Sequence, residues 1–181
     1  MIIEERGQTK EGYEYIICVH PKLGHRLGYV GVYETSPLYE INHVKEDEDE
    51  EIETIDTLEY NVHVHGGLTY SGSLNQNVIG AQNPYYFGFD CAHLNDGKIS
   101  PEEMRRIFET SSKYMSEYSQ NKLLASYTQL YTLFPDFGNS YAKSLEFVKN
   151  ECNHLSAQLK ALEQEYRWAF TTLMKHVIQK T

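Results

Sequence analysis

From Tyr141 to Leu173 the apolar residues recur at steps of four and three without exception: Tyr141, Leu145, Val148, Cys152, Leu155, Leu159, Leu162, Tyr166, Ala169 and Leu173. This is a heptad repeat with one continuous seam, and it predicts a helix over 140–180. At 1.5 Å per residue such a helix would be roughly 60 Å long. A globular domain of this mass spans only ~30–40 Å. Part of the seam must therefore find a partner: the chain's own earlier elements, a second copy, or another protein. Leu145, Leu159 and Leu173 share one seam position, and Val148, Leu155 and Leu162 the other. The expectation is a homodimer through this helix, with Leu155 and Leu162 in the interface and the seam leaning on its own domain as well.

The rest of the second half also reads as helix. "SPEEMRRIFETSSKYMSEYS", 100–119, opens with Ser100 as N-cap, Pro101 in the first helical position, and Glu102 and Glu103 in the first turn. The cap accepts an orphan N–H, and the acids favour the positive end of the dipole. "KLLASYTQLYTLF" predicts a further short helix that stops at Pro135. The first half reads as strands instead. "YEYIICVH" (13–20) and "RLGYVGVYE" (26–34), joined by the turn "PKLG", predict an antiparallel hairpin. "LEYNVHVH" (58–65), continued by "GGLTYSG" through a Gly pair, predicts a third strand, and "NPYYFGFDCAH" (83–93) a fourth. Strands followed by helices imply an α+β fold: a small antiparallel sheet packed by helices, with a long C-terminal helix. Residues 1–97 form the β-rich half and residues 98–181 the helical half of one domain.

The charge is placed locally. Of a formal net charge of −10, nine carboxylates and no base fall within residues 46–59. No Lys or Arg occurs in residues 60–97. A like-charge block of this kind reads either as a solvated loop or as a competitor for a basic groove on another protein. Acidity disfavours nonspecific nucleic-acid binding, although Arg105, Arg106 and Lys113 in the helical half leave room for weak DNA contact. Three widely spaced cysteines, Cys18, Cys91 and Cys152, form no CxxC knuckle and read as reduced and buried. The N-terminal segment lacks the basic-then-apolar order of a signal peptide, and no apolar run approaches ~20 residues, so the expectation is a cytoplasmic protein without a membrane span.

Two segments carry residues able to do chemistry. In "YNVHVHGGLTYSG", His63 and His65 would share one face of a strand, and H-x-H is a common beginning of a metal site. Asp90 and His93 in "FGFDCAH" could supply the remaining ligands if the strands are neighbours, with Asp96 a further candidate. Such a site would activate water for hydrolysis near neutral pH. Against this, Val62 and Val64 make the segment read as an ordinary amphipathic strand, and no HExxH motif follows. Nothing marks Cys91 as an activated partner of His93. "HGGLTYSGS" lacks the GK[ST] of a phosphate loop. Tyr70, Tyr85 and Tyr86 offer the contact area typical of a protein-binding face.

The segments "GYVGV" (28–32), "HGGLTYSG" (65–72), "FGFDCAH" (87–93) and "FVKNEC" (147–152) together resemble a group of small proteins widespread in bacteriophage and prophage genomes. Where that group has two Trp before FGFD, this chain has Tyr85 and Tyr86. The group carries for the most part no assigned activity. In size, acidity and phage-like character the chain also resembles anti-CRISPR inhibitors of type II effector nucleases. The resemblance implies an anti-defence protein in a bacterial host cell that binds a CRISPR effector nuclease, or its guide complex, and blocks it without catalysis or cofactor. The residues that would meet the partner are Glu46, Asp47, Glu48, Asp49, Glu50 and Glu51, with Tyr70, Tyr85 and Tyr86. The alternative is a metal-dependent hydrolase or nucleotide-binding protein using His63, His65, Asp90 and His93.

Overall fold

The computed structural model describes residues 1–41, 58, 61–74, 84–111, 116–134 and 141–178, the last three as backbone alone. The fold is α+β. Five strands, β1 (Ile2–Gln8), β2 (Glu14–Val19), β3 (Arg26–Val32), β4 (Tyr70–Ser73) and β5 (Tyr85–Asp90), precede three helices, α1 (Pro101–Thr110), α2 (Glu117–Leu133) and α3 (Leu145–Ile178). The sheet is antiparallel throughout, in the order β1-β2-β3-β5-β4.

Period-two alternation gives the sheet two buried faces. Tyr15 and Ile17 of β2, Val30 and Val32 of β3, and Tyr85, Phe87 and Phe89 of β5 form the larger core with Val148, Cys152, Leu155 and Leu159 of α3. On the opposite face Ile16, Cys18, Tyr29 and Tyr86 cluster with Leu74. α1 buries Met104, Ile107 and Phe108 with Ile2, Val19 and Tyr127 of α2 in a third cluster at one end. α3 lies down on β3 at Gly28, where an added Cβ would stand 2.5 Å from Phe89 Cζ and 2.9 Å from Cys152 Sγ. Only hydrogen fits there.

Several expectations need correction. The hairpin appears as β2 and β3, and "YYFGFD" as β5, but β1 is a strand that the sequence reading does not contain. Its charges hide it: Glu4, Glu5 and Arg6 face Arg26, Lys149 and Glu14 rather than breaking the ladder. Residues 61–65, expected as strand, are irregular. Gln158 of α3 accepts the His63 N–H and donates to the His63 carbonyl, both at 2.8 Å, and so replaces a neighbouring strand. The helix expected over 100–119 ends at Thr110, where the Ser111 hydroxyl leaves for the Ile3 carbonyl. A second start follows at Ser116, whose Oγ caps the Ser119 N–H.

α3 begins at Leu145 rather than 140, with Ser144 Oγ accepting the Phe147 N–H. Its seam serves the chain's own sheet first. Val148, Cys152, Leu155 and Leu159 are fully buried, and Leu145, Leu162 and Tyr166 pack against them at the edge. Beyond Arg167 the helix runs into solvent, with Leu173 63% exposed. Leu155 is thus core, and replacing it by Asp would damage the fold rather than report on a dimer. Among the described residues no helix is long and apolar enough to cross a membrane.

A buried guanidinium ties these parts together. Arg26, 3% exposed, meets Glu4 of β1 at 2.7 and 2.8 Å, Glu103 of α1 at 2.5 Å, and the Lys143 carbonyl just before α3 at 2.7 Å. Burial alone would disfavour its charge, but the two carboxylates outweigh that and raise its pKa.

Candidate metal centre

Two tight turns bring the chemistry-bearing residues together. In the first, the Gly67 N–H bonds the Val64 carbonyl, closing a turn with His65 and Gly66 in its middle. Gly66 has φ +71°, which the third position of a type II turn requires. In the second, beyond β5, Asp90 Oδ1 accepts the Ala92 N–H and the His93 carbonyl accepts the Asp96 N–H. Asp96 then folds back, so that Oδ2 accepts the His93 N–H at 3.0 Å.

At the junction of the turns, His65 Nε2 lies 2.8 Å and His93 Nδ1 3.2 Å from Asp96 Oδ2. The imidazoles meet edge to face, centroids 5.2 Å apart. One donor atom from each of His65, His93 and Asp96 lies within 4.8 Å of the others. Tetrahedral coordination with metal–ligand bonds near 2.0–2.1 Å needs donors about 3.4 Å apart, and the two nitrogen–oxygen distances lie close to that spacing. The Asp96 side chain is 2% exposed, His65 22% and His93 40%, so the cluster opens to solvent on the His93 side.

Gly66 makes the approach of the two turns feasible. A Cβ there would sit 1.8 Å from His93 Cε1 and 2.1 Å from Nε2. The His93 ring occupies the space a side chain would fill.

The N-terminal part of α3 holds the assembly from the other side. Glu151 Oε2 accepts the His65 N–H at 2.7 Å. The Phe147 ring meets His65 edge-on at 5.3 Å. Lys143 Nζ lies 3.3 Å from Asp96 Oδ1 and 5.3 Å from the centre of the Phe147 ring. Burial by itself would push the Asp96 carboxyl up. The hydrogen bonds from His65, the His93 N–H and Lys143 outweigh it and hold the group at about 2. Asp96 is therefore a carboxylate at neutral pH, as a metal ligand must be.

The candidates named from sequence divide. His65 and His93 come together, joined by Asp96, whereas His63 and Asp90 do not belong to the cluster. The His63 side chain is exposed, and Asp90 is occupied in capping its own turn. Tyr85 and Tyr86 are buried, with Tyr86 Oη donating to Glu14, so neither ring is presented to a partner. Tyr70 is half-buried and stands edge-on to Tyr29. Glu46, Asp47, Glu48, Asp49, Glu50 and Glu51 lie outside the described residues, as does Lys113. Burial pushes the Cys91 thiol up to about 12, as it does Cys18, and raises Cys152 likewise. None of them is a thiolate nucleophile.

Lys143, Phe147 and Glu151 are absent from the sequence-based site. Phe147 and Glu151 nonetheless lie in the "FVKNEC" segment that contributes to the phage-group resemblance, whereas nothing local marks Lys143. Three of these four segments meet at the cluster, and the fourth packs beneath α3. "HGGLTYSG" brings His65 and Gly66, and "FGFDCAH" brings Phe89 and His93. "FVKNEC" adds Phe147, Glu151 and Cys152, which touches Gly28 of "GYVGV". Compared with known protein families, curated proteins and solved structures, the chain matches none of them.

Proposed function

We propose that the protein is a metal-dependent hydrolase whose centre is His65, His93 and Asp96. The observation that supports this best is the mutual proximity of two imidazole nitrogens and one ionised carboxylate in a partly open turn junction. Nitrogen-rich donor sets of this kind suit zinc and its transition-metal neighbours better than magnesium or calcium. A zinc-class ion held by His65, His93 and Asp96 would supply Lewis acidity able to activate water for hydrolysis near neutral pH. Glu151 and Lys143 act behind the ligands. One fixes the His65 backbone and the other the Asp96 carboxylate, as outer groups around a metal do.

The test is thermal denaturation of the purified chain after chelator treatment, with zinc or manganese then restored. A ligand that binds only the folded state stabilises it by about 2.7 kcal/mol at a hundredfold excess over Kd. The reading expects a higher Tm with zinc, abolished by His93→Ala. An unchanged Tm in both proteins would remove it.

A second reading, inhibition of a host effector nuclease, draws its support from the acidic run in residues 46–59 and from the phage-group resemblance. It separates cleanly from the first. Under it, the His93→Ala protein inhibits the nuclease as well as wild type does, and neutralising Glu46 to Glu51 weakens that inhibition and its salt dependence.

A further inference from the structure

The turn between β2 and β3, residues 20–25, carries a histidine at each end. The two imidazoles stack, 26° from parallel with centroids 5.2 Å apart. The His20 ring closes the turn. Its Nδ1 accepts the Lys22 N–H at 3.3 Å and the Leu23 N–H at 3.1 Å, where the oxygen of an Asn or Asp would accept in an Asx turn. Both bonds need the lone pair on Nδ1, so His20 is the neutral tautomer with its proton on Nε2. Protonation puts a hydrogen on Nδ1 and removes the acceptor from both at once. Burial, with the Met1 ammonium and Lys22 facing the ring, holds the His20 pKa below the ordinary 6.5. Burial likewise lowers that of His25, which faces His20, His93, Asp90 and Asp96.

The same turn seats α2. Gly24, at φ +71°, leaves the space that Tyr127 Oη fills, since a Cβ there would stand 2.0 Å from it. The Ile99 N–H donates to the Gly24 carbonyl at 2.9 Å, and Tyr127 Oη donates to the Ile99 carbonyl at 2.5 Å. Tyr127 is the one residue that α2 buries fully, so the docking of this helix depends on the shape of the turn. We propose that the turn over residues 20–25 is a pH-sensitive latch for α2, in which protonation of His20 opens the turn and frees Tyr127. The sign follows from the need for a neutral imidazole. The latch is closed above about pH 6.5 and opens as pH falls through the folded His20 value. It works independently of the metal centre.

The experiment follows the full chain in chelator by NMR as the pH is lowered from neutral into the mildly acidic range. Long-range proton–nitrogen spectra of the imidazoles give the tautomer and titration of His20, while the Tyr127 ring and the amide exchange of α2 report the latch. His20 should carry its proton on Nε2 and titrate below 6.5, and the Tyr127 signals should shift with the same midpoint. Exchange in α2, corrected for its intrinsic pH dependence, should accelerate up to about tenfold for each unit by which His20 titrates below 6.5, because one unit is a factor of ten in the coupled equilibrium. His20→Asn keeps an acceptor in the same place without the titration, and should leave Tyr127 and α2 unchanged across that range. A proton on Nδ1 or a His20 titration at or above 6.5 in wild type overturns the latch. So does an acid response of Tyr127 and α2 that persists in His20→Asn.

Discussion

Gly66 and Asp96 are where the site depends most on single atoms. A methyl group at Gly66 must collide with the His93 ring, and the residue must also hold φ +71°. Gly67 has φ +86° but open space around it. Gly67→Ala should therefore cost only the conformational penalty, about 1 kcal/mol. Gly66→Ala should cost clearly more, about 2–4 kcal/mol, because clash adds to strain. Urea denaturation of the two variants makes the comparison, and equal losses would mean that His93 is not seated on Gly66. Asp96 makes a pH-dependent prediction. Its carboxyl is held at about 2, below the ordinary 3.8. A depressed carboxyl contributes stability that is fully present above its unfolded value and is lost as pH falls through the folded one. The stability difference between wild type and Asp96→Asn should thus shrink between about pH 4 and pH 2, by at most about 2 kcal/mol. A difference that stays flat across that window would show that the carboxylate has no folded-state partners. From sequence, His65, His93 and Asp96 are all visible as candidates. Choosing Asp96 over Asp90 and dropping His63 requires the turn geometry, which residue type alone does not carry.

At the scale of elements, the strongest periodicities are the most informative. The four-three seam finds α3, and the Ser-Pro-Glu-Glu start finds α1, because both are written in local spacing. Alternation finds β2, β3 and β5. The same alternation misreads 58–65, since the His63 backbone takes its hydrogen bonds from Gln158, a residue whose involvement no local pattern shows. β1 is hidden for the opposite reason: its charged residues find partners on β2, β3 and α3 that only the fold assembles. α3 itself behaves as two elements. Leu155 is fully buried against the sheet, whereas Leu173 is 63% exposed. Leu155→Ala should destabilise by about 2–5 kcal/mol and Leu173→Ala by less than about 0.5 kcal/mol. Chemical denaturation at low protein concentration measures both. A large loss at Leu173 under those conditions would mean that the far end of the helix is packed after all.

For the molecule as a whole, sheet, turns and α3 serve one purpose in this account: they hold three ligands at one point. β3 and β5 set the His93 turn, α3 pins the His65 turn through Glu151 and Gln158, and Arg26 fixes the start of α3 from beneath. Cobalt tests the central claim most directly, because it substitutes for zinc and its visible absorption reports the ligand geometry. The chelator-treated chain is titrated with cobalt alongside His63→Ala, His65→Ala, His93→Ala and Asp96→Asn. The account predicts a visible band that saturates at about one ion per chain, as a single three-ligand site requires. The band should be retained in His63→Ala and lost or strongly weakened in the other three. Absence of the band in wild type, or its loss in His63→Ala with retention in His93→Ala, would contradict the account.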